Sequence, residues 1–410
     1  MPAPAASEVL GDALAVMLGR TTDLPPSELT SIVDLAREVL GASTARVLIA
    51  DYGLTSLQEL GRDGPTGPRY AASGTMVGRA FSGPNIVVTG HAPAVVLVPL
   101  VEGSERLGVL EMTHPTWDDE RAALLAPVVR VLVLLLISQR RYTDVLLRTR
   151  RSEPLSPAAE LQWDLLPPLT CSTPRVSVSG ILEPAYSIGG DSFDYALNQD
   201  TAELAIVDAM GHGMPAVLLS VTAINCLRNA RREGRGLEAA YLTTSAAINA
   251  QAIRSAFVTA QTASLDLTSG ALTWLNAGHP LPLLVRDGAF IGELSCQPSL
   301  PMGWEGPVVE VATEHLQPGD RVLFYTDGAV ETRSASGELF GVARLADLFL
   351  RASLEGVPPS ETVRRLSSSI VAYNGAGLSD DATLLLLTYH GTPAEGGADP
   401  AQSPRREPPA

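Results

Sequence analysis

Between Arg175 and Tyr389 the chain repeats one pattern: a short apolar run that meets an aspartate flanked by glycine or another polar residue. Asp191 follows YSIGG, Asp208 ends LAIVD before AMGHG, Asp327 ends RVLFYTD before Gly328, and Asp380 and Asp381 precede ATLLLLTY. Apolar runs of this length read as buried strands. Each aspartate is therefore predicted at a strand end, where the strand behind it fixes the backbone and leaves the carboxylate presented. Four such residues, converging from 191, 208, 327 and 380, would repel one another unless positive charge lay between them. Arginine enters these segments only as Arg321, at the far end of its strand. Divalent cations meet the need better. Carboxylates, carbonyls and water suit Mg2+ or Mn2+, and the lack of a histidine and thiolate ligand set argues against Zn2+.

Composition narrows the function classes. The 410 residues carry 29 basic and 45 acidic side chains, a formal net charge of −16, and none of the basic residues is lysine. An acidic chain without a basic run is a poor nucleic-acid or anionic-membrane binder. The missing amine excludes a Walker-type phosphate loop and Schiff-base chemistry. With 45% hydrophobic and 18% charged residues, the bulk is expected to be globular, with room for about two or three domains. Cys171, Cys226 and Cys296 are widely spaced and form no CxxC, so neither a zinc site nor a disulfide framework follows, and a reducing cytoplasm is expected. The start of the chain lacks the succession of a signal peptide. The most apolar run, Val128 to Ile137, contains Arg130 and is about half the length of a membrane span.

The first part of the chain reads as a separate α/β unit. Pro25 and Pro26 precede a helical stripe of Leu29, Ile32, Val33, Ala36, Val39 and Leu40 that stops at Gly41. Arg46 to Ala50 reads as a strand, and Ala94 to Thr113 as a hairpin turning at Glu102, Gly103 and Ser104. Thr116 is expected to cap a long helix starting at Trp117 and running on through DVLL, with Pro127 as a kink point. His91 and His114 are expected at the surface. The order of elements, with GTMVGRAF and VPLVEGSERLGVLEM, resembles a GAF domain over residues 10–145. That resemblance implies either a small-ligand sensor or a packing and dimerisation domain without a ligand. Residues 117–160 are expected to form a helical stalk and linker, arginine-rich from Arg140, through which a homodimer could form. Residues 1–9 and 391–410 read as disordered ends.

EPAYSIGGDSFDY, VDAMGHG, FVTAQTASLDLTSGALTWLNAGHPLPLLV, GDRVLFYTDGAVETRSASGELFG and LSDDATLLLL occur in that order. Together they resemble the SpoIIE-type branch of the protein phosphatase 2C-like metal-dependent serine/threonine phosphatases, over residues 161–390. The resemblance implies an α+β chain whose carboxy-terminal domain is an αββα sandwich of two antiparallel sheets flanked by helices, with two Mn2+ or Mg2+ ions at one edge. It assigns Asp191, Asp208, Asp327 and Asp380 as catalytic metal ligands that act through an activated water, and the Ala209 carbonyl as a backbone ligand. Asp381 and Asp194 are second choices with a structural role. Gly189, Gly190, Gly211, Gly213 and Gly328 would let the backbone approach the ions. His212 is a candidate general acid, and His279 a turn or packing residue. No arginine is assigned to hold phosphate. LQWDLLPPL (Leu161 to Leu169) resembles the segment that opens this branch. The implied function is dephosphorylation of a phosphoserine or phosphothreonine protein, with an anti-anti-sigma factor of a partner-switching pathway as the substrate class. The alternatives are a phosphoprotein-binding domain without turnover and a dimetal hydrolase of a small phosphate ester.

Overall fold

A computed structural model describes residues 6–391 apart from 22–23, 84, 103–104, 187–188, 252–255, 305, 307–308, 376–377 and 379. Nearly all of the expected carboxy-terminal tail lies outside the described residues, as do residues 1–5. The expected disorder at 6–9 is not observed, because the first helix, α1 (Ala6–Thr21), begins there.

The amino-terminal unit continues with α2 (Leu29–Leu40), β1 (Thr44–Ala50), β2 (Ser56–Leu60), β3 (Pro65–Ala71), α3 (Met76–Ser82), β4 (Val87–Thr89), β5 (Ala94–Glu102) and β6 (Glu105–His114). It closes with α4 (Asp119–Gln139) and α5 (Val145–Arg150). The six strands form one antiparallel sheet in the order β3-β2-β1-β6-β5-β4. Successive strand residues face opposite sides, and both sides are apolar. Val47 and Ile49 pack with α1, α2 and α4, whereas Leu48 and Ala50 pack with Val77, Ala80 and Phe81 of α3. Gly41 ends α2 in a left-handed conformation, as its position suggests.

Three expectations for this unit need correction. Asp118, not Thr116, caps α4, its carboxylate accepting from the Arg121 N–H. The expected continuous helix is two, with α4 ending at Gln139 and α5 starting at Val145. His114 is fully buried, its ring 5.3 Å from that of Trp117. It ends a strand whose hydrophobic neighbours enclose it, and burial lowers its proton affinity. Helix α4 is long and apolar enough to cross a bilayer by composition alone. In the fold, Leu125, Val128, Leu132 and Leu136 form one stripe that is buried against α2 and the sheet.

Helix α6 (Pro157–Leu165) links this unit to the rest, which runs β7 (Thr170–Ser172), β8 (Val176–Glu183), β9 (Asp191–Leu197), β10 (Thr201–Ala209), α7 (Met214–Arg232) and α8 (Leu237–Asn249). Next come β11 (Val258–Asp266), β12 (Ala271–Ala277), β13 (Leu283–Arg286), β14 (Ala289–Glu293), β15 (Ala312–His315) and β16 (Arg321–Tyr325). Last are α9 (Gly328–Glu331), α10 (Val342–Leu354), α11 (Pro359–Asn374) and β17 (Ala382–Tyr389). Two antiparallel sheets result, β15-β12-β11-β10-β9 and β14-β13-β16-β17-β8-β7.

Period-two alternation builds the layers. Leu204 and Ile206 of β10 share one core with Phe193, Val322, Phe324, Leu385 and Leu387, between the sheets. Ala205 and Val207 face α7 and α8 instead, while Leu323, Tyr325, Leu384 and Leu386 face α10 and α11. Helices therefore cover the outer face of each sheet. Phe193 is fully buried at the centre, and Gly180 lies so close to its ring that a Cβ there would overlap it. Replacing Phe193 by alanine leaves a cavity between two rigid sheets. The Phe193→Ala variant should lose about 3–5 kcal/mol of unfolding free energy, measurable as a lower denaturant midpoint with an unchanged slope.

Candidate metal centre

The register of β9 against β10 sets Asp191 directly opposite Asp208. The register of β17 against β8 sets Ala382 opposite Glu183. Asp380 and Asp381 immediately precede β17, and Asp327 follows β16, the neighbour of β17. Strand ends from both sheets thus deliver the aspartates to one edge of the sandwich. They act on one another electrostatically: Asp208 raises the proton affinity of Asp191, and Asp327, Asp380 and Asp381 raise that of Asp208.

The clasp that holds this edge is made of neutral donors. Asp191 is almost wholly buried, and its Oδ2 accepts from the Thr326 hydroxyl at 2.6 Å. Thr326 in turn accepts from the Thr383 N–H at 2.9 Å, joining β16 to β17 beneath the carboxylate. The Asp381 carboxylate accepts from the Gly189 N–H at 2.7 and 2.9 Å and from the Asp191 N–H at 3.3 Å. Asp381 therefore holds the 189–191 turn, and this is a positioning role. Asp380 is exposed, with Oδ1 accepting from the Asp381 N–H.

Two glycines make the close approach possible. A Cβ on Gly190 would overlap the Ala209 carbonyl, and one on Gly328 would overlap the Asp381 carbonyl. The tight contacts are thus between backbone segments of the centre itself. The Ala209 carbonyl lies against Gly190, whose own carbonyl accepts from the Ser220 hydroxyl of α7.

The remaining predicted residues fall away from this cluster. Asp194 is buried in a double ion pair, with Arg228 at 2.7 Å and Arg231 at 2.8 Å. It ties β9 to α7 and has its charge already balanced. His279 is buried in the turn after β12, its Nδ1 2.8 Å from the Thr259 hydroxyl, and desolvation lowers its pKa to about 3. It fits the packing role. His212 is exposed in the turn between β10 and α7. Sequence reasoning missed Thr326 and Gln162. Thr326 was legible in principle, since it adjoins Asp327 in YTDG. Gln162, whose Nε2 donates to the Asp191 carbonyl, lies in LQWDLLPPL with nothing in its spacing to mark it.

Burial is the largest cause of the raised proton affinities. It lifts Asp208 to about 7, with Asp327 next in effect, and Asp381 to about 6. Asp191 is pushed well above the usual carboxylate range, and Asp327 is raised as well. No arginine pairs with Asp191, Asp208, Asp327, Asp380 or Asp381 among the described residues, in contrast to Asp194. Among the described residues no three carboxylate, imidazole or thiolate groups are grouped closely enough to hold one ion with the side chains as they stand. The donor set is nonetheless oxygen-only, anionic and without an internal counter-cation, which fits a hard divalent ion.

The same raised affinities set a pH dependence. A carboxylate that binds its proton more tightly in the folded state stabilises the fold at low pH. That contribution is lost as pH rises from about 4, the unfolded aspartate value, through about 7 for Asp208. In EDTA, the melting temperature of the parent chain should therefore fall more steeply across this window than that of Asp208→Asn. Equal slopes would remove Asp208 as the source.

Residues 198–390 match the family model described as stage II sporulation protein E (SpoIIE). Protein IcfG of Synechocystis sp. is 24% identical over 222 residues, covering 47% of this chain and 35% of that protein. The phosphoserine phosphatase RsbU of Bacillus subtilis is 23% identical over 235 residues, covering 56% of this chain and 68% of RsbU. The chain thus spans about a third of the length of the first of these relatives. Among solved structures, the RsbU and RsbW domains of Rv1364c from Mycobacterium tuberculosis are 30% identical, covering 54% of this chain and 62% of that one, with a TM-score of 0.46. The SiaA-PP2C domain of Pseudomonas aeruginosa is 21% identical, covering 57% and 94%, with a TM-score of 0.49. The family match begins just after β9, so it takes in Asp208, Asp327 and Asp380 but not Asp191. The similarity to the SpoIIE family thus extends over residues 198–390 of this chain.

Proposed function

We propose that the chain is a metal-dependent phosphoserine/phosphothreonine protein phosphatase of the cytoplasm, governed by its amino-terminal unit. The observation that carries this reading is the edge to which strand ends of both sheets bring Asp191, Asp208, Asp327 and Asp380, with no arginine paired to them among the described residues. Similarity to the phosphoserine phosphatase RsbU supports it. Asp191, Asp208, Asp327, Asp380 and the Ala209 carbonyl would hold two Mn2+ or Mg2+ ions. Such ions, when bound, neutralise phosphoryl charge and activate water for in-line displacement. The chain's own groups do the positioning. Thr326 fixes one oxygen of Asp191, Asp381 fixes the turn that carries it, and Gly190 and Gly328 let neighbouring strand ends within each sheet approach closely. His212, exposed in the turn after β10, is the candidate proton donor to the leaving group. The substrate class is a phosphorylated anti-anti-sigma factor.

The amino-terminal unit, read as GAF-like, reaches this edge through α6. Tyr52 lies against Trp163 with ring centroids 4.5 Å apart, Trp163 donates to the Ala185 carbonyl at 2.8 Å, and the neighbouring Gln162 donates to Asp191. A signal that shifts the sheet against α6 would thereby bear on β9. A homodimer through the helices would use what α4 leaves exposed, Leu134 in particular.

Two experiments test the reading. With manganese and either an aryl phosphate or a phosphoserine peptide, the full chain should turn over. Asp208→Asn and Asp327→Asn should each retain no more than about a hundredth of that activity, since even residues supporting metal ligands cost 10–100-fold. No manganese-dependent turnover by the parent chain refutes the enzyme. Deleting residues 1–150 should change metal affinity or turnover, and identical values for the truncated and full chains refute control by the amino-terminal unit.

A further inference from the structure

The arginine-rich stretch after α4 has no part in the phosphatase chemistry, yet it builds a cleft. Arg140 and Arg141 from the turn after α4, and Arg150 from the end of α5, line it together with Trp163 of α6 and Tyr52. The volume is about 290 Å3, near the small end of ligand sites, about 300–1,000 Å3. Most described arginines near carboxylates form ion pairs, as Arg151 does with Glu160 at 2.5 Å. Among the described residues, none of the three cleft arginines has a carboxylate within 4 Å. Arg150 packs its guanidinium 4.6 Å from the centre of the Tyr52 ring, and its Nε is buried without a hydrogen-bond partner.

Two carboxylates also line the cleft, Glu105 and Asp164. Burial raises the proton affinity of Glu105, and Arg150 and Arg140 pull it back. Two of the arginines thus act on Glu105, and the three arginines of the lining outnumber its two acids. A half-buried guanidinium that lacks a partner is costly unless an anion completes it. The aromatic pair forms an apolar wall beside those donors, the usual composition of a small-molecule site.

We propose that this cleft, between the amino-terminal sheet, the α4–α5 turn and α6, binds a small molecule carrying two or more phosphate or carboxylate groups. The site is separate from the aspartate edge. It borders α6 at Trp163, one residue from Gln162 and its bond to Asp191. It does not depend on the phosphatase reading, because neither metal nor turnover enters the test.

The test is calorimetric titration of the full chain, in EDTA and low salt, with pyrophosphate in one arm and citrate in the other. At least one should bind saturably at one site per chain, and the arm that binds assigns phosphate or carboxylate as the preferred group. The double variant Arg140→Gln, Arg150→Gln should weaken that binding about tenfold or more, as expected for lost hydrogen bonds to a charged ligand. Because Arg150 also packs on Tyr52, Arg141→Glu provides a second variant at an exposed side chain. If the double variant fails to fold by circular dichroism, the Arg141→Glu result decides by the same tenfold criterion. No saturable binding of either anion, or binding unchanged in the folded variants, overturns the proposal.

Discussion

Like charges crowded at one edge of a two-sheet sandwich are the constraint around which the carboxy-terminal half is organised. Asp191 and Asp208 face one another across a strand pair, and Asp327 and Asp380 arrive from the other sheet. Burial first, and the neighbouring carboxylates second, raise the proton affinity of Asp191 and Asp208. The surrounding chain meets this with neutral donors: the Thr326 hydroxyl, the N–H groups of Gly189 and Asp191 on Asp381, and the Thr383 N–H behind them. Cationic side chains are held elsewhere, on Asp194 and Asp320. That division keeps the edge acidic and rigid at once, which is what a site for hard cations demands.

Much of this was legible in the sequence because strands and their ends leave strong local marks. The runs LAIVD, RVLFYTD and ATLLLLTY placed β10, β16 and β17 and the aspartates beside them. What escaped notice depends on contacts between distant segments. Gln162 reaches Asp191 across 29 positions and Thr326 reaches it across 135, and no periodicity encodes either distance. His114 misled for a related reason: a histidine at a strand end looks exposed until Trp117 and the sheet close over it. The single long helix misled because an apolar stripe followed by arginines continues the helical pattern. The break at 140–144 is a tertiary choice, made so that α5 can pack on β2.

The junction between the two halves is chemically mixed. Aromatic contact joins Tyr52 to Trp163 and Tyr186, while Tyr186 also exchanges hydrogen bonds with the backbone of Arg150 and Ser152. Apolar stacking of this kind tolerates sliding, whereas the hydrogen bonds fix a register. A junction combining both is suited to small, discrete shifts rather than free rotation.

The placement of β8 and β9 has a practical consequence for anyone excising the carboxy-terminal half. Strand β9 is the outer neighbour of β10, and β8 lies between β17 and β7. A fragment cut at the start of the family match, residue 198, would lose one outer strand from one sheet and two from the other. The unpaired N–H and C=O rows of β10 and β17 would then face solvent, and β17 is buried along its whole length. Such bare, apolar edges template intermolecular strand pairing, so the fragment is expected to aggregate. A fragment keeps both edges covered only if it includes β7, β8 and β9.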